Sequence, residues 1–250
     1  MFASDEGFRG HAGMETLETG KLIGQVFRIL FANFLPFMFL AAILSTPSLG
    51  LSLYLALEFQ QGVAHPYMNL LSIPMSVVVY IATGAITYGV FQQLRGTGAS
   101  FLGCCAVGAR RILPVLGVSI LVGLAIFGGT LLLIVPGIIA ALTLYVAVPC
   151  TVVEEAGVVT SLRRSRELTR GYRGQLFGLT IVLALVQLAI GVPLMIVYSG
   201  DAANLSYVGL QWVMGVFNTS LSATAMALVY FRLRVLKERF DVEGIAAVFA

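Results

Sequence analysis

Six apolar runs, each about the length needed to cross a bilayer, constrain this chain more than any other feature. A helix needs roughly 20 apolar residues to traverse about 30 Å of hydrocarbon. The segments Phe34–Leu57, Leu71–Leu94, Ile112–Ile134, Gly137–Val153, Leu176–Tyr198 and Leu210–Phe231 qualify. They are too long for barrel strands and lack the alternation of inward and outward residues that barrels require. Composition agrees: 58% of the 250 residues are hydrophobic and 11% are charged, against about 25% charged in a soluble domain. So little polar surface cannot clothe a water-soluble globule, which argues against a soluble enzyme. Disorder, collagen and coiled coil fail because the apolar content is too high and no strict repeat runs through the chain. The expected fold is an all-α polytopic membrane protein with six transmembrane helices.

The basic residues predict the threading. All 15 fall into four segments: Arg9, Lys21 and Arg28 before the first run; Arg95, Arg110 and Arg111 between the second and third; Arg163, Arg164, Arg166, Arg170 and Arg173 between the fourth and fifth; and Arg232, Arg234, Lys237 and Arg239 after the sixth. The three intervening loops hold only Glu58, His65 and Asp201 as charged or titratable markers. Because cytoplasmic loops concentrate Lys and Arg, both termini are expected in the cytoplasm of a bacterial inner membrane. Residues Met1 to Gly20 carry Asp5, Glu6, Glu15 and Glu18 rather than the basic start of a secretory signal. The first run continues to Leu57, and Ser45-Thr46-Pro47 is a poor cleavage site, so it is read as an uncleaved span.

Three segments that precede spans have the mixed apolar and basic character of interfacial helices: Lys21–Phe31, Phe101–Pro114 and Val158–Gly174. The chain is therefore expected to repeat a unit three times, an interfacial helix followed by a transmembrane hairpin. Residues 1–20 form a polar tail, 21–231 the membrane domain and 232–250 a cytoplasmic tail. Val135-Pro136-Gly137 reads as the tight turn of the second hairpin, since proline followed by glycine turns a chain.

The densest polar region joins the fourth and fifth spans. Glu154 and Glu155 end one, and Arg163, Arg164, Arg166, Glu167, Arg170 and Arg173 follow. Thr160 or Ser161 suits the start of the intervening helix, Gly171 its C-terminal cap, and Arg163 and Glu167 are spaced to pair along it. On the 3.6-residue period, Val158, Leu162 and Ser165 share one side, flanked by Val159 and Leu168. The helix is expected to lie flat under the bundle on that side. A carboxylate at the membrane edge, Glu154 or Glu155, is expected to contact an arginine, whose planar fork suits it better than lysine.

The run from Val135-Pro136-Gly137 through Pro149, Glu154, the arginine-rich helix, Leu168-Thr169-Arg170-Gly171-Tyr172-Arg173 and Phe177 resembles the membrane domain fused to some bacterial glycerophosphodiester phosphodiesterases, and the related stand-alone membrane proteins. The tail from Tyr230 through Ala250 is similar to the stand-alone members. The resemblance covers roughly the last 150 residues. It implies six spans in a bacterial inner membrane, and it does not imply phosphodiesterase activity, because the catalytic barrel of those fusions is absent from this sequence.

Other chemistry finds little support. His11 and His65 have no Cys, Asp or Glu at ligand spacing, and Cys104, Cys105 and Cys150 show no zinc-type spacing and read as small apolar filler. There is no Gly-x-Ser-x-Gly elbow, P-loop or dinucleotide fingerprint. Basic residues that hug a membrane argue against nucleic acid. No charge falls mid-span, which argues against an ion-coupled pump. The expectation is a non-enzymatic protein without cofactor or metal. It would bind lipid, or a membrane partner or second copy, through a cluster of Glu154, Glu155, Arg163, Arg164, Arg166, Glu167, Arg170, Arg173, Arg110 and Arg111. This cluster holds anionic headgroups or forms structural ion pairs, in an envelope-organising or accessory role. The alternative is a transporter or lipid-handling protein with a site between the hairpins.

Overall fold

A computed structural model describes residues 19–60, 82–92, 112–197 and 205–248. These are almost wholly helical: α1 (Thr19–Ala32), α2 (Phe34–Gln60), α3 (residues 82–92), α4 (Ile112–Leu132), α5 (Ile134–Thr143), α6 (Ala147–Val153), α7 (Val158–Thr169), α8 (Arg173–Val197) and α9 (Leu205–Val248). Five stretches of these residues are long and apolar enough to cross a membrane: Phe34–Glu58, Ile112–Leu132, Ile134–Val153, Arg173–Val197 and Leu205–Glu238. The protein is a multi-pass helical membrane protein. The expected second span contributes α3; the rest of Leu71–Leu94, like the expected interfacial helix around residues 101–111, lies outside the described residues.

The burial pattern is the one a lipid solvent demands. Leu131, Leu132, Leu133, Ile134 and Val135 are contiguous and each 65–79% exposed. An apolar patch of this kind is unfavourable in water and is stable where lipid covers it. The interior is organised by α9, which packs on α1, α2, α6, α7 and α8. Between Ser220 and Leu233 its buried residues include Ala223, Thr224, Ala225 and Ala227, small side chains that let neighbouring helices approach closely. From α1 the stripe Leu22, Val26 and Leu30 packs into this core.

Two prolines lie in the fourth span, which is broken once, at residues 144–146. It was expected as one helix from Gly137 to Val153 after a Val135-Pro136-Gly137 turn. Instead the chain turns at Leu133, which is extended (φ −166°, ψ 152°), and Pro136 and Gly137 lie in the first turn of α5. Proline is tolerated there, because the first N–H groups of a helix have no intrahelical partner. Gly137 is needed for a different reason: a Cβ at this position would sit 2.1 Å from Thr130 Oγ1, and one at Gly129 would sit 2.9 Å from the Gly137 Cα. Backbone therefore touches backbone where α4 and α5 meet. The break at residues 144–146 separates α5 from α6, and Pro149 occupies the first turn of α6. Having no N–H, Pro149 cannot continue the ladder from upstream.

A third proline, Pro47, lies inside α2, and polar groups gather on the carbonyls around it. Thr46 Oγ1 donates to Ala42 O (2.9 Å), Ser48 Oγ to Ser45 O (2.6 Å), and Trp212 Nε1 reaches across from α9 to Ser45 O (3.0 Å).

Candidate functional site

Five side chains close a ring where α6, α7 and α9 meet. Glu154 is the C-terminal cap of α6. Its Oε1 accepts from Arg164 Nε of α7 at 3.3 Å and from the Tyr230 hydroxyl of α9 at 2.8 Å. Arg164 also donates through Nη2 to Glu238 Oε1 at 3.1 Å, Glu238 accepts from Arg234 Nε at 2.8 Å, and Arg234 Nη1 donates to the Tyr230 hydroxyl oxygen at 3.2 Å. Tyr230, Arg234 and Glu238 recur every four residues, so they line one side of α9. The ring holds two carboxylates and two guanidiniums and is formally neutral. It grades from the buried Tyr230 phenol to the half-exposed Glu238. Burial by itself lowers the pKa of Arg164, but the charge and hydrogen bond of Glu154, helped by Glu238, outweigh it and the net shift is upward.

The opposite side of α7 is equally bound. Because the break at residues 144–146 turns the Ala147 N–H to Leu144 O, the Thr143 carbonyl loses its helical partner. Ser165 Oγ donates to it at 3.0 Å, and Thr169 Oγ1, 3.1 Å away, shares its one proton between this carbonyl and Ser165 O at 2.9 Å. Ser161, Ser165, Leu168 and Thr169 are all buried, whereas Val159 is 75% exposed. The side of α7 expected to lie under the bundle does so: Ser165 is buried and Val158 and Leu162 pack inward, joined by a hydroxyl stripe, whereas the flanking Val159 turns outward. Free backbone carbonyls in a membrane protein need donors, and the hydroxyls supply them. Its start is also earlier than expected. Gly157, not Thr160 or Ser161, is the N-cap, and Ser161 Oγ donates back to Gly157 O. Gly171 follows the helix in a left-handed conformation (φ 95°) that suits glycine.

The remaining site residues separate by face. Arg163, Arg166 and Arg170 are exposed on the outer side of α7, with Arg163 Nε a loose 3.9 Å from Glu167 Oε1. Glu155 adopts a positive φ of 52° in the link between α6 and α7, so the two adjacent carboxylates take different backbone conformations and only Glu154 enters the ring. Arg173 opens α8, and its Nε is buried with no hydrogen-bond partner among the described residues, as is Gln175 Oε1. Arg110 and Arg111 lie outside the described residues.

Sequence reasoning assigned Tyr230, Arg234, Lys237 and Glu238 to the end of a span and a tail. Instead α9 continues unbroken to Val248, and its basic part holds the helices around it. Lys237 Nζ donates to Glu167 O in the last turn of α7 at 2.7 Å, and Arg232 Nη2 donates to Gln25 Oε1 of α1 at 2.8 Å. The four-residue recurrence of Tyr230, Arg234 and Glu238 was the available signal.

Among the described residues no group of three His, Cys, Asp or Glu is placed to hold a metal. Cys150 is free and fully buried. The ring is suited to holding helices together, and the exposed arginines to meeting anions. No curated protein and no solved structure matches the chain. Residues 75–237 match the family model for a domain of unknown function, DUF7847, a stretch that contains every ring residue except Glu238. Since that match covers more than half of the chain, the protein belongs to the DUF7847 family.

Proposed function

We propose that this protein is a non-enzymatic component of a bacterial inner membrane that holds anionic lipid headgroups on its cytoplasmic face, in an envelope-organising or accessory role. The reading includes six spans in three hairpins with both termini cytoplasmic, and kinship with the membrane domain of glycerophosphodiester phosphodiesterases. One observation carries it. Of the arginines on α7, Arg164 is neutralised within the ring, whereas Arg163, Arg166 and Arg170 share the exposed face. The fixed hydroxyl stripe holds that face outward, so its charge is presented, with the loose Arg163–Glu167 pair lying along it. The buried Nε of Arg173, which has no hydrogen-bond partner among the described residues, adds a donor at the start of the following helix, α8. Each basic residue near an anionic surface contributes about 1 kcal/mol, so three arginines favour anionic over zwitterionic lipid by about 3 kcal/mol.

The test is lipid retention. Native mass spectrometry of protein purified from mixed phosphatidylglycerol and phosphatidylcholine membranes should show phosphatidylglycerol enriched on the wild type and not on the Arg163→Gln/Arg166→Gln/Arg170→Gln variant. Equal retention by the two would sink the proposal. Purified protein should not hydrolyse glycerophosphodiesters.

A further inference from the structure

We infer that the protein has a second, uncharged lipid site. It is a lateral cleft between α2 and α9 that takes the hydroxyl- and ester-bearing end of a neutral glycerolipid. The cleft has a volume of about 230 Å³ and is lined by Ser45, Ser48, Ser52, Gln211, Trp212 and Thr219 among others. One water needs roughly 10–15 Å³ of such space, so the cleft admits a molecular fragment. Gln211 and Gly215 also line an adjoining, mainly apolar cleft of about 250 Å³ against α8, whose walls include Val186, Ile190 and Phe217, with Gln187 and Asn218 hydrogen-bonded to each other. Gly215 has no side chain to divide the two spaces, and a Cβ built on it meets nothing within 4 Å. A polar chamber and an apolar one therefore meet at a single turn of α9, which is the division of chemistry within a lipid.

The polar chamber specifies what it accepts. The Gln211 carboxamide and the Ser52 hydroxyl are exposed to it and make no hydrogen bond among the described residues. Both stand on helices apolar enough to cross a membrane, where an unsatisfied polar group costs several kcal/mol. Ser48, Thr219 and Trp212 spend their donors on the carbonyls of Ser45, Gly215 and Ser45, but the two hydroxyl oxygens keep lone pairs as acceptors. The vacancies are thus a mixture of donors and acceptors. Among the described residues no charged side chain lines either cleft, so a phosphate would lie there without a counter-charge from them, at high cost in a medium of low dielectric. An alcohol beside an ester carbonyl fits, as in a diacylglycerol. The cleft is also remote from the arginines: roughly 28 Å of helix, at 1.5 Å per residue, separates Gln211 from Tyr230 along α9. The inference therefore stands independently of the headgroup reading.

Trp212 makes the site directly observable, because it lines the cleft and is the only tryptophan in the chain. The full-length protein would be placed in phosphatidylcholine nanodiscs containing equal small mole fractions of acyl-dibrominated diacylglycerol, phosphatidylcholine or phosphatidylglycerol, with quenching referred to the matching unbrominated lipid. Brominated diacylglycerol should quench Trp212 saturably, with an affinity about tenfold above that of the two phospholipids, equivalent to about 1.4 kcal/mol. Gly215→Leu, which fills the cleft without a steric clash, should abolish that preference, and Gln211→Leu should reduce it several-fold. The Arg163→Gln/Arg166→Gln/Arg170→Gln variant should leave it unchanged, which separates this site from the arginine face. Equal quenching by all three lipids would mean water or bulk lipid only and overturns the inference, as does a preference for phosphatidylglycerol or one that survives both Gly215→Leu and Gln211→Leu. If Gly215→Leu does not fold, Gln211→Leu decides the matter.

Discussion

The Tyr230 hydroxyl donates to Glu154 Oε1 across 2.8 Å, joining residues 76 positions apart at the buried edge of a five-membered ring. That contact makes the C-terminal part of α9 a brace for α6 and α7 rather than a tail. Tyr230→Phe keeps the packing and removes the bridge, leaving Glu154 with one fewer donor and Arg234 with one fewer acceptor. Hydrogen bonds to charged groups contribute about 1.5–3 kcal/mol, and thermal unfolding in mild detergent should register a loss of that order. An unchanged melting temperature would show the ring to be incidental.

Glu154→Ala should be more harmful than Glu167→Ala. The Glu154 side chain is 19% exposed and accepts from two donors, whereas Glu167 is 58% exposed and its pair is long. Exposed pairs contribute roughly 0–1 kcal/mol, and breaking a buried one costs about 3–5. With its partial burial Glu154→Ala should fall between these, near about 2 kcal/mol. Indistinguishable unfolding curves for the two variants would reject this ranking.

Ser165 and Thr169 share one acceptor, so their contributions should not add. Ser165→Ala or Thr169→Val alone leaves the Thr143 carbonyl one donor and should cost little beyond packing. The double variant leaves a buried acceptor unsatisfied, at about 1–3 kcal/mol. A double-mutant cycle measures the coupling directly; additive effects would mean that another group satisfies Thr143.

The glycines should divide into two classes. Gly137→Ala forces the α4–α5 backbones apart and should destabilise by about 1–3 kcal/mol, the usual penalty of overpacking. Gly128→Ala on α4 meets open space and should be neutral or slightly stabilising, because alanine is the better helix former. Similar melting temperatures would show that α4 and α5 do not pack backbone to backbone.

Threading is tested by cysteine reporters in a background lacking the three native cysteines. Asp201→Cys and His65→Cys should react with an impermeant maleimide added to intact cells, and Arg166→Cys only after permeabilisation. Labelling of Arg166→Cys from outside would invert the proposed topology.

Much of this architecture is written in local chemistry. The length of an apolar run, the placement of arginine and the four-residue rise of a helical stripe depend only on neighbours in the chain. From these alone come the helical membrane class, most span limits, the helix at Val158–Thr169 and the pairing of a carboxylate at residues 154–155 with an arginine. The tertiary structure decided which of the two glutamates enters the ring and which arginines remain outward. It also decided how far round α7 the buried side reaches. Hydropathy chose Val158 and Leu162, which do pack inward, but it put Val159 beside them, and Val159 is 75% exposed; inside a membrane protein apolar burial discriminates weakly between faces, because lipid is as apolar as the core. What discriminates is an unsatisfied backbone carbonyl, and Thr143 became one because the chain turns at residues 144–146, some twenty residues before the hydroxyls that answer it. The ring follows the same logic. Tyr230, Arg234 and Glu238 are ordinary residues at a helix end until the packing of α9 on α6 and α7 brings Glu154 and Arg164 within hydrogen-bonding distance.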